Sequence, residues 1–370
     1  MKKIFVITSS RGDFDLLSEL LYNLKKGKNN KLKIIISGSL TSKKFGNYFK
    51  YIKTHKLKIN HKISLNLKND DNYTINKNFA KSIRDFDSIL KKNRPDLVLV
   101  LGDRYEVFAV VIAAFIQGIK IAHIHGGEET LGAQDNAFRN SISHMSDIHF
   151  VSNQQAKNKL NMMGIKKNIY NVGGLGAFNA SKIKIFKSKK NLSKIIDFNF
   201  LSKNFLITFH PVTLEKNLGL DNFKNLLKVL KNYKNFGLIF TMSNADNNFN
   251  TFNKEIYNFC KTNSNAKMFK QLGKINYFSA ISTVDLVIGN SSSGLLEAPS
   301  FGTPTINIGS RQEGRIKAKS VIDTAGTVLE IKKAISKGLT QKYKVIAKKS
   351  INPYYKRNTI KNIISILNRK

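Results

Sequence analysis

The chain has 370 residues, of which 41% are hydrophobic and 23 are glycine, a composition typical of a globular protein with two domains. Its formal charge of +38 comes from 62 Lys and Arg residues against 24 Asp and Glu residues. The lysines are spread along the whole chain and form no basic tail. We therefore expect a surface that attracts anionic ligands, and no specific nucleic-acid binding.

The single cysteine, Cys260, excludes an internal disulfide and a zinc site built from several thiolates. The apolar stretches are shorter than the roughly 18 residues that a membrane-spanning helix needs. The N-terminus turns polar after about five apolar residues, which is too few for a signal peptide. These features predict a cytoplasmic enzyme that does not enter a membrane.

The first half of the chain alternates short β-branched runs with longer amphipathic segments, which is the pattern of parallel βα units. We predict strands over residues 3–8, 32–37, 97–102, 119–125, 148–152 and 169–173, and helices over residues 13–26, 42–55, 78–92, 104–117, 135–145 and 153–163.

Residues 176–203 lose the strand pattern and become rich in lysine, which indicates the connection between two domains. Strands resume at residues 204–210, 236–242, 266–270, 285–290 and 303–309. The predicted fold is α/β, with two Rossmann-like domains facing a cleft. We place the domains at 1–175 and 176–353, and predict that a final helix, 354–370, crosses back to the first domain.

Ligands of such sheets bind beyond the carboxyl ends of the strands, and polar residues follow several predicted strands. Arg11 follows the first strand and is either a surface arginine or a phosphate ligand. Asp103 follows the apolar strand LVLVL and is either the cap of the next helix or a catalytic acid or base. Arg104 comes next and is a candidate to meet an anion.

The stretch HIHGGEETLGAQD, residues 123–135, first suggests a metal site because it combines His-x-His with carboxylates. No cluster of third and fourth ligands accompanies the histidines, so we predict no metal. The period of a strand predicts that His123 and His125 point to one face, and one of them is a candidate for a packed core histidine. Gly126 and Gly127 favour close approach of the backbone to a ligand.

Asp135 begins the next predicted helix, where it is either an N-cap or a ligand-facing carboxylate, with Arg139 one turn later as a partner. His210 ends the first strand of the second half, and Pro211 stops that strand from continuing. A lone histidine is usually structural, but this one is expected at a strand end.

The sequence NSSSGLLE, residues 290–297, ends a strand and opens an apolar helix. Free backbone N–H groups at a helix start suit an anion, and Ser291 and Ser292 add hydroxyl donors. Glu297 lies one turn in, where a carboxylate could hold ribose hydroxyls. The alternative interpretation is an ordinary capped helix.

The motifs TSSRGDF, LGDRYE, AHIHGGE, QDNAFRN, FHPVTLE, NSSSGLLEAPSFGTP and GSRQEGR occur in this order over nearly the whole chain. In this combination the chain resembles the UDP-N-acetylglucosamine 2-epimerase family, and especially its hydrolysing branch, which serves sialic-acid-type sugar synthesis. The resemblance implies a glycosyltransferase-B-like fold, a UDP-sugar substrate held mainly by the second domain, and a homodimer or homotetramer.

Carried over onto this sequence, the resemblance implies two sets of residues. The residues implied to line the nucleotide-sugar site are Arg11, Arg104, His210, Asn244, Ser291, Ser292, Glu297 and Arg311. Asp103 and Asp135 match two catalytic carboxylates. His125 stands where many relatives have a glutamate, which leaves open whether His125 or Glu128 handles that proton. Leu16 stands where some relatives have a lysine.

The implied reaction removes a proton from C2 of the sugar and expels UDP from C1, giving a 2-acetamidoglucal. Water then adds with reprotonation on the other face. The route needs an acid, a base and cationic groups for the departing diphosphate, and no redox cofactor or metal. The expected substrate is UDP-N-acetylglucosamine and the product N-acetylmannosamine. The alternatives are a UDP-2,4-diacetamido-2,4,6-trideoxy sugar, a non-hydrolysing 2-epimerase and, less favoured, a glycosyltransferase of the same fold.

Overall fold

The computed structural model describes residues 1–43, 48–69, 71–186, 188–243 and 248–369. The chain divides into two units. Unit 1 consists of Met1–Glu129, Gln134–Phe178 and Tyr354–Lys370, and unit 2 of Thr130–Ala133 and Asn179–Pro353. Within the described ranges, no helix is long and apolar enough to cross a membrane.

A parallel sheet forms the centre of unit 1. Its strands are β1 (Lys2–Thr8), β2 (Asn30–Ile36), β3 (Ile59–Lys62), β4 (Leu97–Leu101), β5 (Lys120–Ile124), β6 (Ile148–Val151) and β7 (Ile169–Asn171), in the order β3-β2-β1-β4-β5-β6-β7. The helices assigned to this part of the chain are α1 (Arg11–Lys26), α2 (Tyr48–Thr54), α3 (Asn72–Asn93), α4 (Tyr105–Ile116), α5 (Asp135–His144), α6 (Gln154–Met162), α7 (Leu175–Lys182) and, after unit 2, α15 (Thr359–Arg369).

Unit 2 repeats the same architecture. Its strands are β8 (Lys203–Thr208), β9 (Phe236–Thr241), β10 (Ala266–Phe269), β11 (Leu286–Gly289), β12 (Thr305–Ile308) and β13 (Val321–Thr324), in the order β10-β9-β8-β11-β12-β13. Its helices are α8 (Lys189–Ile196), α9 (Leu220–Leu230), α10 (Phe249–Thr262), α11 (Lys274–Thr283), the single turn α12 (Ser293–Leu296), α13 (Val328–Leu339) and α14 (Gln341–Lys348).

The strands of both sheets form because short apolar runs are buried on both faces by helices. β4 reads LVLVL and is buried at every position, and β5, β8 and β11 are buried along nearly their whole length. All the strand pairs are parallel. The α/β prediction is therefore confirmed, since each unit is a parallel sheet between helices.

Two strands escaped the sequence prediction, β3 and β13. Both lie at a sheet edge and carry polar residues in a run of only four, so their burial patterns are mixed. The segment 176–203 contains α8 and most of α7, which the prediction did not assign. α8 has a narrow apolar face, with Leu192 and Ile196 four residues apart among lysines.

Two helices have other bounds than the sequence predicted. α3 begins at Asn72, six residues before its predicted start, because Asp71 accepts a bond from the Thr74 amide and caps it. The helix predicted over 42–55 is α2, which covers Tyr48–Thr54. Residues 44–47 lie outside the described residues.

The order of strands reverses beside the first strand of each unit. In unit 1 the chain builds outwards from β1 to β3 and then returns to β4 on the other side of β1. In unit 2 it builds from β8 to β10 and returns to β11. Loops diverge at these two points, leaving a crevice beyond the carboxyl ends of the strands, and this is where open α/β sheets bind ligands.

Unit 1 buries two histidines on neighbouring strands, His123 in β5 and His149 in β6, which are paired in register. Burial is the main cause that lowers the pKa of His123 from 6.5 to about 3 and that of His149 to about 4. Both therefore stay neutral in the fold while the unfolded chain takes up protons below pH 6.5. Their contribution is fully present above pH 6.5 and is lost as the pH falls towards 4 for His149 and towards 3 for His123.

We expect the His149→Gln variant to lose less stability on acidification than the unsubstituted protein. Between pH 7 and pH 4.5 the fall in unfolding free energy should shrink by about 2 kcal/mol, because one pKa unit corresponds to about 1.4 kcal/mol. Urea unfolding at both pH values measures it. An equal fall in unfolding free energy in His149→Gln and the unsubstituted protein would contradict this role of His149.

Candidate functional site

Arg11 lies at the reversal point of unit 1, as the first residue of α1 after β1. Ser10 caps this helix by accepting a bond from the Asp13 amide at 3.2 Å, and the Asp13 carboxylate accepts from the Ser10 amide and the Ser9 hydroxyl at 3.0 Å each. This reciprocal capping fixes the turn. Arg11 therefore projects from a rigid helix start, where the helix dipole also favours an anion.

Asp103 lies after β4, on the other side of the same reversal point. The structure rejects its interpretation as a helix cap, because the cap position of α4 is Arg104, which makes no side-chain cap bond. Asp103 instead forms an ion pair with Arg139, and its side chain is 20% exposed. A partly exposed carboxylate held by a buried cation suits a proton-transfer role.

Arg139 is almost fully buried, with 1% of its surface exposed. Its Nη2 donates to Asp103 Oδ2, and its Nη1 donates to the Glu128 carbonyl at 2.7 Å and to Asn136 Oδ1 at 3.2 Å. The guanidinium thus ties the loop after β4 to the loop after β5. Sequence reasoning paired Arg139 with nearby Asp135 and did not foresee the contact with Asp103, 36 residues away.

His125 does not continue the alternation of β5. The strand ends at Ile124, and His125 has a φ of 66°, in the left-handed region. Its Nε2 accepts the Leu175 amide at 3.2 Å, and its Nδ1 lies 3.5 Å from Glu128 Oε1. Because Nε2 accepts, the neutral ring carries its proton on Nδ1, facing Glu128.

Glu128 is also buried, with 4% of the residue exposed, and its Oε1 accepts the Ser152 hydroxyl at 2.7 Å. His125 and Glu128, the two alternatives for one proton-transfer position, are therefore neighbours in a single network. Sequence reasoning missed Ser152, which follows β6 without any motif to mark it.

His123 is the packed core histidine that the sequence analysis expected at one of the two positions. Its Nε2 lies 2.8 Å from the Gly102 carbonyl and its Nδ1 lies 3.1 Å from the Ser143 hydroxyl. Gly126 lies against this ring, since a Cβ there would be 2.8 Å from His123 Nδ1. The need for glycine at 126 is thus explained by packing within unit 1. Among the described residues, no group of three or more His, Cys, Asp or Glu side chains could hold a metal ion.

Asp135 and Arg104 occupy helix starts of unit 1. Asp135 is the first residue of α5 and is partly exposed, and the cap position belongs to Gln134. Arg104 donates from Nε to Glu106 Oε2 at 3.2 Å and from Nη2 to Glu106 Oε1 at 3.4 Å.

In unit 2, Asn290 joins the ends of β8 and β11. Its Oδ1 accepts the His210 amide at 2.7 Å, and its Nδ2 donates to the His210 carbonyl at 2.8 Å. Gly289 lets the strands approach, because its φ is 137° and a Cβ would lie 1.9 Å from the Thr208 carbonyl oxygen. His210 is therefore held by its backbone at the reversal point of unit 2.

Gln312 and Arg311 extend this arrangement to the loop after β12. Gln312 is fully buried and donates to the Asn290 carbonyl at 2.8 Å, and Arg311 Nε donates to the Pro211 carbonyl at 3.2 Å. Arg311 therefore lies next to the His210 loop. Asn290 and Gln312 are positioning residues that sequence reasoning missed, because buried amides leave no periodic pattern.

The serine loop follows β11 as predicted, but the helix that it opens is short. α12 is a single turn, Ser293–Leu296, and a 3-10 turn, Ala298–Phe301, containing Pro299 follows it. Ser291 and Ser292 are partly exposed at its start, and Glu297 is 7% exposed at the junction. Asn244, the remaining predicted residue, lies outside the described residues.

The comparison with protein families gives a match over most of the chain. The model described as UDP-N-acetylglucosamine 2-epimerase matches residues 23–368. The chain belongs to the UDP-N-acetylglucosamine 2-epimerase family. The recognition made from the motifs is thereby confirmed.

Two relatives place the chain within this family. It is 39% identical, over 87% of its own length and 84% of the relative's, to the GDP/UDP-N,N'-diacetylbacillosamine 2-epimerase (hydrolyzing) of Campylobacter jejuni. It is 33% identical, over 99% of its length and 94% of the relative's, to the polysialic acid biosynthesis protein P7 of Escherichia coli. These relatives are consistent with the hydrolysing branch of the family.

The family fold is also found by structure. A UDP-GlcNAc 2-epimerase from Neisseria meningitidis bound to UDP-GlcNAc superimposes with a TM-score of 0.84 at 21% identity, with both chains fully covered. One from Methanocaldococcus jannaschii, in complex with UDP-GlcNAc and UDP, gives 0.79 at 19% identity, again with full coverage. The predicted glycosyltransferase-B-like fold class is thus confirmed.

Replacing Arg139 in this epimerase-family chain by Met should lower the unfolding free energy by about 3 kcal/mol, the usual cost of removing one partner from a buried ion pair. Urea unfolding measures the loss. Arg84→Met is the matched control, since the Arg84 side chain is 78% exposed and its change should cost less than about 0.5 kcal/mol.

A double-mutant cycle tests the contact itself. Asp103→Asn should cost less in the Arg139→Met background than in the unsubstituted protein, because the ion pair is already lost there. Strictly additive losses of unfolding free energy would show that Asp103 and Arg139 do not interact.

Proposed function

We propose that the protein is a hydrolysing 2-epimerase that converts a UDP-2-acetamido sugar into UDP and the free 2-epimeric sugar. Family membership supports action on a nucleotide sugar, and the Campylobacter relative, whose name includes hydrolysis, is 39% identical. The single observation that carries the proposal is the pairing of Asp103 with buried Arg139 at the end of β4. It fixes a partly exposed carboxylate at the reversal point of unit 1.

In the proposed reaction, one carboxylate takes the proton from C2 of the sugar and the C1–O bond to UDP breaks, so that C1 and C2 become doubly bonded. Water then gives its hydroxyl to C1, and a proton returns to C2 on the opposite face. The overall change consumes one water and yields UDP and the epimeric sugar. We assign the two proton transfers to Asp103 and Asp135, the more exposed of the four acid–base candidates.

His125 and Glu128 are more deeply buried and would then support the reaction without being the main proton donor or acceptor. Glu128 is buried and accepts the Ser152 hydroxyl, while the Nε2 of His125 is engaged by the Leu175 amide. Protonating Nε2 would break the bond to Leu175, which disfavours a cycling imidazolium. We propose that this pair fixes the loop after β5 and assists whichever carboxylate exchanges the proton at that face.

Unit 2 would hold the nucleotide. Ser291 and Ser292 would offer hydroxyl and amide donors for the diphosphate, and Glu297 would accept hydrogen bonds from the ribose hydroxyls. His210, whose amide donates to Asn290, and Arg311, which donates to the Pro211 carbonyl, would complete this part of the site. Arg11 and Arg104 of unit 1 would contribute positive charge for the leaving diphosphate. We also propose that Asn244, which lies outside the described residues, lines the nucleotide-sugar site.

The favoured substrate is UDP-N,N'-diacetylbacillosamine, a 2,4-diacetamido sugar, because it is named for relatives 39% and 29% identical to this chain. UDP-N-acetylglucosamine is the second candidate, since it is named for a relative 27% identical over 88% of the chain. The motifs alone favoured these two substrates in the reverse order. We further propose a cytoplasmic homodimer or homotetramer acting in sialic-acid-type sugar synthesis, which sedimentation and cell fractionation would test.

Asp103→Asn and Asp135→Asn should each lower kcat for UDP release by about 100-fold or more, the usual loss of a general acid or base. UDP affinity should change little, because neither carboxylate is assigned to the nucleotide. Release of UDP is measured by a coupled assay without any sugar acceptor, and binding by calorimetry. Asp197→Asn is the control, since that side chain is 95% exposed.

An acceptor requirement for UDP release would identify a glycosyltransferase and overturn the proposal. Full activity in both carboxylate variants would show that the assigned residues do not carry the chemistry.

A further inference from the structure

Glu106 belongs to none of the roles described so far, yet it is the most deeply buried carboxylate beside the proposed site. It is the second residue of α4, none of its surface is exposed, and both its oxygens receive N–H groups of Arg104. Burial, opposed by the charge of Arg104, raises the pKa of Glu106. The fold therefore holds an acidic group in an environment that disfavours its charge.

Buried ion pairs of this kind contribute little stability, because removing two charges from water costs about as much as their attraction returns. A buried pair next to a ligand-binding edge is better explained by orientation. Nε and Nη2 of Arg104 both donate to the Glu106 carboxylate, so these two bonds fix the plane of the guanidinium.

The surroundings of Glu106 are shaped to admit it. Gly38, just after β2, has a φ of 53°, and a Cβ there would lie 2.5 Å from Glu106 Oε1 and 2.6 Å from the Ser9 carbonyl oxygen. Glu106 thus packs beneath the turns that follow β1 and β2, close to the turn that carries Arg11. The carboxylate of Asp13, in that turn, also acts on Glu106 electrostatically.

We propose that Glu106 is a positioning residue that orients the Arg104 guanidinium towards the diphosphate of the substrate. The inference rests on the proposed function, since it takes a nucleoside diphosphate as the ligand. Glu106 itself would not touch the substrate. Its contribution is to present Arg104 as a rigid cation instead of a long side chain that must be ordered on binding.

The test uses Glu106→Gln in the full chain, which keeps the shape and an acceptor oxygen but removes the charge. Calorimetry compares UDP with UMP, which lacks the second phosphate. We expect the Kd of UDP to rise about tenfold, as for one weakened charge-assisted hydrogen bond, and that of UMP to rise less than about twofold. The melting temperature should fall, because the substitution leaves the mostly buried charge of Arg104 without its ionic partner.

Two further variants complete the experiment. In an Arg104→Gln background, Glu106→Gln should cause no additional loss of UDP affinity, because Glu106 acts through Arg104. Glu19→Gln, an exposed glutamate of α1, is the matched control and should leave both affinities unchanged.

Unchanged UDP affinity in Glu106→Gln would overturn the inference. An equal loss of affinity for UDP and UMP would also overturn it, since a purely structural role would weaken the binding of both ligands alike. If the unsubstituted protein bound no UDP at all, the proposed function would fail with it, and that outcome is seen before any variant is made.

Discussion

Asp103 keeps a defined position at the end of β4 because the buried guanidinium of Arg139 holds both its carboxylate and the Glu128 carbonyl. The loops after β4 and β5 carry most of the acid–base candidates, and neither loop has regular structure of its own to fix it. One cation from α5 supplies that constraint for both. The rest of the proposed chemistry in unit 1 depends on it.

The two units fix the ends of their strands with different chemical groups. In unit 1 the strand ends are fixed by ion pairs, Arg139 with Asp103 and Arg104 with Glu106. In unit 2 a neutral amide, Asn290, brackets the backbone of His210 and receives Gln312. An amide adds no negative charge next to the proposed diphosphate site, whereas an unpaired carboxylate would. The difference fits the proposal that unit 2 holds most of the nucleotide, while Arg11 and Arg104 of unit 1 add positive charge for its diphosphate.

The sequence predicted the parts of the fold that depend on local pattern. Apolar runs such as LVLVL in β4 could only be buried strands, and polar residues after them could only lie at the carboxyl edge. Edge strands β3 and β13 were missed because each is a run of only four residues that includes polar ones, so neither contains a continuous apolar run. The candidate residues were predictable from strand ends and motifs, but their partners were not. Arg139 pairs with Asp103, which lies 36 residues away in the sequence. Glu106, Ser152, Asn290 and Gln312 are buried polar residues, and no pattern in the sequence marks their hydrogen-bond partners.

We propose that a carboxylate of unit 1 removes the C2 proton of a UDP-2-acetamido sugar whose UDP is then lost. NMR of the products formed in deuterated water tests it most directly, with UDP-N,N'-diacetylbacillosamine and UDP-N-acetylglucosamine as separate substrates. The account predicts, for at least one of them, equal amounts of UDP and a free sugar with inverted configuration and deuterium at C2. A free sugar that keeps its C2 hydrogen and configuration, or an epimer still attached to UDP, would contradict it.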